Sequence, residues 1–89
     1  MTRTLAQQLL RSGTSIGANI EESQAAESTA DFIHKLSISL KEARETRYWL
    51  LLLSESELVK NSRLQPLLNE LEEVIKIIIS LIVSKKRNK

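Results

Sequence analysis

The sequence predicts an all-α protein, an antiparallel up-and-down bundle of three long helices. Its 89 residues include one proline and two glycines, which leaves little material for turns and favours long helices over short strands. Apolar residues recur at helical spacing along three segments, and short links between them predict antiparallel neighbours. We expect one domain over residues 1–84, with helices at about 3–26, 29–56 and 63–84, and then a basic C-terminal tail at 85–89.

The first predicted helix carries two glycines, Gly13 and Gly17, inside an amphipathic pattern. Each glycine costs about 1 kcal/mol relative to alanine in a helix, so a helix that keeps two is expected to lie close to another backbone. The apolar stripe keeps its phase through Gly13, which favours an unbroken helix over a break with Gly13 as its C-cap. The small side chains that form this surface are Ser12, Gly13, Ser15, Gly17 and Ala18.

The second predicted helix begins with Ser28 and Asp31 in capping-box spacing. Its apolar stripe loses regularity near Arg47. The stripe consists of Phe32, Leu36, Leu40, Ala43, Leu50 and Leu53.

The third helix is predicted to start between Ser62 and Pro66, with Ser62 and Gln65 in capping-box spacing and Pro66 in the first turn. Asn61 is expected to end the preceding helix in a left-handed conformation. Beyond the main apolar stripe lie Ile77, Leu81 and Val83, so the last two turns are apolar nearly all round. A lone three-helix bundle does not easily cover such a surface, and this predicts association.

Composition narrows the class of protein. There is no cysteine, which excludes disulfides and thiolate metal sites. The N-terminus lacks the apolar core of a signal peptide, and the longest apolar stretch, 77–83, is far shorter than the roughly 20 residues that span a bilayer. We therefore expect a soluble cytoplasmic protein with no membrane partner.

Two blocks of the sequence resemble the four-helix-bundle family encoded by intervening sequences of 23S ribosomal RNA. They read RSGTSIGANIEES at 11–23 and DFIHKLSISLKEARETRYWL at 31–50, and the resemblance covers about residues 5–55. The third helix matches only as an amphipathic helix. The accessory variability determinant proteins of diversity-generating retroelements belong to the same broad group. The matching positions are Ser15, Ile16, Ala18, Asn19, Ile20, Glu21, Phe32, Leu36, Ala43, Glu45, Thr46, Tyr48, Trp49 and Leu50.

The resemblance implies a bacterial protein with an antiparallel four-helix protomer, a homopentameric assembly and no established enzymatic activity. For some members it also implies a nucleic-acid or reverse-transcriptase-like protein partner. Family members usually carry a further helix ahead of the segment that corresponds to residues 2–26. The start is therefore truncated, or a partner supplies the missing helix, or the chain is a three-helix variant. The candidate helix-packing and interface residues are Gly13, Ser15, Gly17, Asn19, Glu42, Glu45, Trp49, Ile78, Ile79 and Ile82.

No catalytic, cofactor or metal site is predicted, and no small-molecule substrate. The chain has one histidine, His34, and lacks the Glu-x-x-His pairs of di-iron bundles. Asp31 is better explained as a cap and His34 as a surface residue. No histidine is placed to activate the serines and threonine at 12–15 as nucleophiles. Asn19 is expected to bond across a helix interface.

Basic residues concentrate at the C-terminus. The last five residues hold four of the 13 basic residues, and the rest of the chain carries nine basic against 11 acidic residues, a charge of −2. Such a cluster either binds nucleic-acid phosphates or forms a solvated end that favours the helix dipole. The candidate nucleic-acid contacts are Arg3, Arg11, Lys85, Lys86, Arg87 and Lys89.

Two functions are compatible with these features. The first is a non-enzymatic, oligomeric helical-bundle protein that associates with RNA, DNA or a nucleic-acid-processing partner. The alternative is a protein-interaction module that accepts a helix from a partner and binds no nucleic acid.

Overall fold

A computed structural model describes residues 3–88 and, within them, three α-helices and no strand. The helices are α1 (Arg3–Gln24), α2 (Thr29–Ser56) and α3 (Asn61–Arg87). Residues 1, 2 and 89 and the side chain of Arg3 lie outside the described part. Helix α1 passes through Gly13 and Gly17 without interruption, and neither glycine has a positive φ. The prediction of an unbroken first helix is confirmed.

The start of α2 follows the predicted capping chemistry. Ser28 is extended, with φ −143° and ψ 163°, and its hydroxyl oxygen accepts a hydrogen bond of 3.0 Å from the backbone N–H of Asp31. This bond satisfies one of the N–H groups that the first turn of a helix leaves without a partner. The capping prediction at Ser28 is confirmed.

The link between α2 and α3 differs from the prediction. Glu57, not Asn61, adopts the left-handed conformation, with φ 61°. Asn61 is the first residue of α3, and its side-chain oxygen accepts a 2.6 Å hydrogen bond from the hydroxyl of Ser54. That bond joins the two helix ends across the link, so the assignment of Asn61 as a left-handed cap was wrong.

The N-terminus of α3 also lies earlier than predicted. The backbone N–H groups of Arg63 and Leu64 donate to the carbonyl of Lys60, which places the N-cap at Lys60 without a side-chain bond. Ser62 is therefore inside the helix and not its cap, and Pro66 lies in the second turn and not the first. Because Pro66 has no N–H, the carbonyl of Ser62 lacks its helical donor.

The C-terminus of α3 lies beyond the predicted helix end at residue 84. The helix continues to Arg87, so Lys85, Lys86 and Arg87 form its last turn. Cations are favoured at this end of a helix because the helix dipole is negative there.

Helix α2 lies between α1 and α3 and packs against both. The ion pair between Lys35 and Glu22 and the contact of Lys85 with Phe32 show that each outer helix runs antiparallel to α2. Within residues 3–88, no Cα atom of α1 lies within 8 Å of one of α3. The Cα envelope of 46 × 22 × 14 Å is accordingly a layer of side-by-side helices.

The buried positions of α2 repeat at steps of three and four residues. The residues at these positions are apolar or small and polar. Their spacing places them on one face of α2, which packs against the two neighbouring helices. These positions are Leu36, Ser39, Ala43, Thr46, Leu50 and Leu53, and Glu42 beside them is also buried. Helix α3 covers that face with Leu64, Leu71, Ile75 and Ile78.

Candidate functional site

The contact between α1 and α2 is built from small polar residues. Ser12 and Ser39 are fully buried, as is Ala43. The hydroxyl of Ser39 donates a 2.8 Å hydrogen bond to the backbone carbonyl of Ile16 on the other helix. Small side chains allow the two backbones to approach closely, and their hydroxyl groups find partners across the contact.

The two glycines of α1 lie outside this contact. Both are exposed, and a Cβ atom built on Gly13 or Gly17 would meet no heavy atom of a neighbouring element within 4 Å. The close approach to α2 is made at Ser12, one residue before Gly13. The second backbone that the glycines were expected to need is therefore not provided by the described part of this chain.

An open groove separates α1 from α3. Its cavity volume is about 330 Å³, and the buried residues Thr46 and Leu50 of α2 form its floor. We call this the α1–α3 groove, and the residues that line it are Leu9, Gly13, Thr46, Leu50, Leu67, Glu70, Leu71 and Val74. Leu67 is 50% exposed at its edge. Apolar surface left open in this way is a candidate contact for another helix.

The C-terminal half of α3 adds to the exposed apolar surface. Ile78 is buried against the rest of the protein, but Ile77 is 58% exposed. Ile79, Leu81 and Val83 are each about two-fifths exposed. The prediction that Ile77, Leu81 and Val83 lie outside the covered stripe is confirmed. Ile82 is partly exposed.

Arg11 joins α1 to α2 by ion pairs with two carboxylates. Its guanidinium lies 3.2 Å from Glu42 Oε2 and also contacts Glu45 Oε2. The Glu42 side chain is only 12% exposed. The hydrogen bond to Glu45 is the main cause of a raised pKa of Arg11, which keeps the guanidinium cationic. Arg11 is thus committed to partners within the chain and is not a free cation.

Trp49, Ser15 and Asn19 occupy half-buried positions. The Trp49 ring meets the neighbouring Tyr48 ring edge-on, at 5.1 Å between centroids, and within residues 3–88 its buried Nε1 has no hydrogen-bond acceptor. The amide of Asn19 donates to the carbonyl of Ser15 at 2.8 Å, within its own helix. The prediction that Asn19 bonds across a helix interface was wrong, because its side-chain amide donates to the Ser15 carbonyl one turn earlier in α1.

The basic residues of the C-terminus have different surroundings. Lys85 Nζ lies 5.0 Å from the centroid of the Phe32 ring, within the range of a cation–π contact. Lys86 and Arg87 are exposed and form no ion pair within residues 3–88. The proposed contacts at Lys89 and the Arg3 side chain lie outside the described residues.

Two kinds of site are not found in the described part of the chain. Over residues 3–88, no group of three or more His, Asp or Glu side chains is arranged to hold a metal ion. Within the same range, none of the three helices combines the length and hydrophobicity that crossing a bilayer requires.

The sequence reasoning missed the groove and the buried hydroxyls. Leu9, Leu67 and Val74 continue the apolar spacing of their helices, but nothing in periodicity indicates which part of a stripe stays open. The hydroxyls at Ser39 and Thr46 did leave a signal. With Ala43 they continue the three-and-four spacing of the α2 stripe across the gap near Arg47.

The sequence and structure were compared with known proteins. A sequence profile described as 23S rRNA-intervening sequence protein matches residues 2–80. Among solved structures, the chain is similar to a protein of unknown function from the S23 ribosomal protein family of Bacteroides thetaiotaomicron VPI-5482. The two are 49% identical with a TM-score of 0.89, over 91% of this chain and 75% of the other. No curated protein matches the sequence.

Proposed function

The chain belongs to the 23S rRNA-intervening sequence protein family, and we propose that it is a non-enzymatic helical protein that assembles with copies of itself. The observation that carries this proposal is the open α1–α3 groove. The outer helices that flank it have no pair of Cα atoms within 8 Å over residues 3–88, and its lining is mainly apolar. Burying apolar surface is worth about 25 cal/mol per Å², so a second chain that covers the groove is stabilised there.

The exposed end of α3 supports the same proposal. Ile77, Ile79, Leu81 and Val83 present apolar side chains that no part of residues 3–88 covers. The groove and this surface are formed by different residues of α3. Contacts between unlike surfaces generate closed rings when the rotation between subunits closes. A cyclic assembly, a pentamer by resemblance to the family, is consistent with that arrangement.

Light scattering tests the assembly directly. The wild-type protein is expected to have a mass several times the 10.1 kDa of one chain at micromolar concentration. Leu67→Glu places a charge at the edge of the groove and should shift the mass toward that of one chain. Leu51→Glu is the matched control, because Leu51 is 47% exposed on α2 and does not line the groove. A wild-type monomer at micromolar concentration would rule out self-assembly.

A second candidate is that the groove accepts a helix from another protein. The same geometry favours it, because a helix seated between α1 and α3 would contact both and complete a four-helix arrangement. A peptide with an amphipathic helix, or an extension upstream of residue 1, should raise the melting temperature of the wild-type protein. The Leu67→Glu variant should show no such gain, and an unchanged wild-type temperature argues against this candidate.

We also propose that the assembly binds RNA or DNA through the basic end of α3. The support is that Lys86 and Arg87 are exposed without an ion pair in the described range, and that assembly gathers several copies of this end. Binding through phosphates weakens as salt rises, because counterions compete for the same charges. Filter binding over a salt series tests the proposal, and no binding to RNA or DNA at low salt would remove it.

A further inference from the structure

We infer that the last turn of α3 divides its cations between two roles: Lys86 and Arg87 contact nucleic-acid phosphates, and Lys85 positions the turn. This inference rests on the proposed nucleic-acid function and assigns the residues that carry it. It follows from the surroundings of the three side chains, which differ although the residues are consecutive.

Lys85 is already engaged within the chain. Its ammonium lies 5.0 Å from the centre of the Phe32 ring, near the start of α2. It also lines a polar cavity of about 460 Å³ that includes the carboxylate-bearing Glu27. A cation held over an aromatic ring, with a carboxylate lining the same cavity, is the least available of the three for an external phosphate. The contact ties the last turn of α3 to α2.

The side chains of Lys86 and Arg87 are turned away from α2. Successive residues of an α-helix are separated by about 100° around the axis, so when Lys85 faces α2 the next two side chains are turned away from it. Like Lys85, both are exposed and form no ion pair within residues 3–88, but unlike Lys85 they have no aromatic ring contact in that range. Two free cations on consecutive residues can each neutralise a phosphate of a flexible strand.

The neighbouring surface favours nucleic acid over a membrane. The polar cavity beside Lys85 is lined by the α1–α2 turn, with the hydroxyl of Thr29 and the amide of Gln24. Such groups commonly bond phosphate and sugar oxygens.

The test measures the salt dependence of binding to a short, labelled single-stranded RNA. Lys86→Gln and Arg87→Gln should each lower the slope of log K against log salt by about 0.7, the value for one phosphate contact on a single strand. Lys85→Gln should leave the slope unchanged and lower the melting temperature. Phe32→Leu should reproduce that loss of melting temperature, because it removes the ring that holds Lys85.

Lys60→Gln is the matched control. It makes the same change of charge at the other end of α3, roughly 38 Å away at about 1.5 Å per residue, and should change neither the slope nor the RNA affinity. If Lys85→Gln lowers the slope as much as the other two, the division of roles is wrong. The division of roles is also wrong if the wild-type protein binds the RNA and both Lys86→Gln and Arg87→Gln show the wild-type slope of log K against log salt.

A different result would disprove the proposed nucleic-acid function itself. A wild-type protein that binds neither RNA nor DNA at low salt overturns that function, and this assignment with it. Binding to vesicles that contain an anionic lipid, lost on Lys86→Gln and Arg87→Gln, without binding to RNA, would reassign the surface to membranes and overturn the inference.

Discussion

The hydroxyl oxygens of Ser12 and Thr46 lie 2.9 Å apart between α1 and α2. Ser12 is fully buried and Thr46 is 8% exposed, so water does not compete for the bond. The Thr46 hydroxyl also lies 2.8 Å from the carbonyl oxygen of Glu42, one turn earlier in α2. This hydroxyl pair fixes the register of the two helices at their closest approach.

Replacing Thr46 with valine keeps the shape of the side chain and removes its hydroxyl. We expect Thr46→Val to lower the free energy of unfolding by about 1 kcal/mol, since the Ser12 hydroxyl keeps only the Leu9 carbonyl at 3.3 Å. Urea denaturation measures the change. Ser37→Ala is the control, because Ser37 is exposed and bonds only within its own helix, to Ile33. Equal losses in both variants would contradict the special role of the buried pair.

Arg11 should stabilise the protein through Glu42. Arg11→Met leaves a carboxylate that is 12% exposed without its cation, and we expect the free energy of unfolding to fall by more than it does when an exposed ion pair is broken. A double-mutant cycle with Glu42→Gln isolates the coupling between the two. Lys76→Met is the control for an exposed pair, with Lys76 3.7 Å from Glu73, and should change stability by less than about 0.5 kcal/mol.

The pH dependence of that contribution follows from the raised pKa of Arg11. A base whose pKa is higher in the folded state stabilises the fold while it is protonated, and loses that effect only as pH rises through the raised value. The contribution of Arg11 ionisation is therefore complete at neutral pH and disappears only under strongly alkaline conditions. A difference between wild type and Arg11→Met that vanished by mildly alkaline pH would contradict this assignment.

Alanine substitutions at the two glycines of α1 test whether the α1–α3 groove is open or occupied. An alanine at either position meets no neighbouring element within 4 Å in a single chain, and alanine favours a helix by about 1 kcal/mol over glycine. Gly17→Ala should therefore raise the melting temperature. Gly13 lines the α1–α3 groove, so on the proposal that another chain packs into the groove, Gly13→Ala should raise it less than Gly17→Ala at assembling concentration. Equal gains at assembling concentration would indicate an empty groove.

Pro66 interrupts the backbone hydrogen bonds of α3. It lies in the second turn, where its missing N–H leaves the Ser62 carbonyl without a helical partner. Pro66→Ala restores that donor, and we expect a gain of about 1–2 kcal/mol in the free energy of unfolding. Ser62→Ala is the control and should change stability little. No gain from Pro66→Ala would show that this part of α3 is not helical in solution.

The sequence predicted the helices better than their contacts. Capping at Ser28 depends on one side chain and its own turn, so local chemistry was sufficient to predict it. The end of α2 was different, because the Ser54–Asn61 bond joins residues on two helices. Local propensity favoured asparagine in the left-handed position, and this contact between helix ends placed Glu57 there instead.

The face of α1 that contacts α2 also shows why contacts were harder to predict than helices. Hydrophobic periodicity assigned Gly13 to the buried stripe, but the buried residue is its neighbour Ser12. A hydrophobicity pattern gives no weight to a serine, although a small hydroxyl with partners packs well in a close helix contact. The open groove depends on the separation of α1 from α3, and no property of either helix alone determines that distance.

Because α2 lies between two helices whose Cα atoms stay more than 8 Å apart over residues 3–88, we expect the two halves of the protein to unfold with some independence. The close backbone contacts of each outer helix within residues 3–88 are made with α2, so this part of the molecule resembles two helical hairpins that share one helix. Each hairpin closes over a short stretch of chain and is expected to form rapidly. Fraying of one outer helix leaves the other hairpin intact, and hydrogen exchange should therefore be slowest along α2.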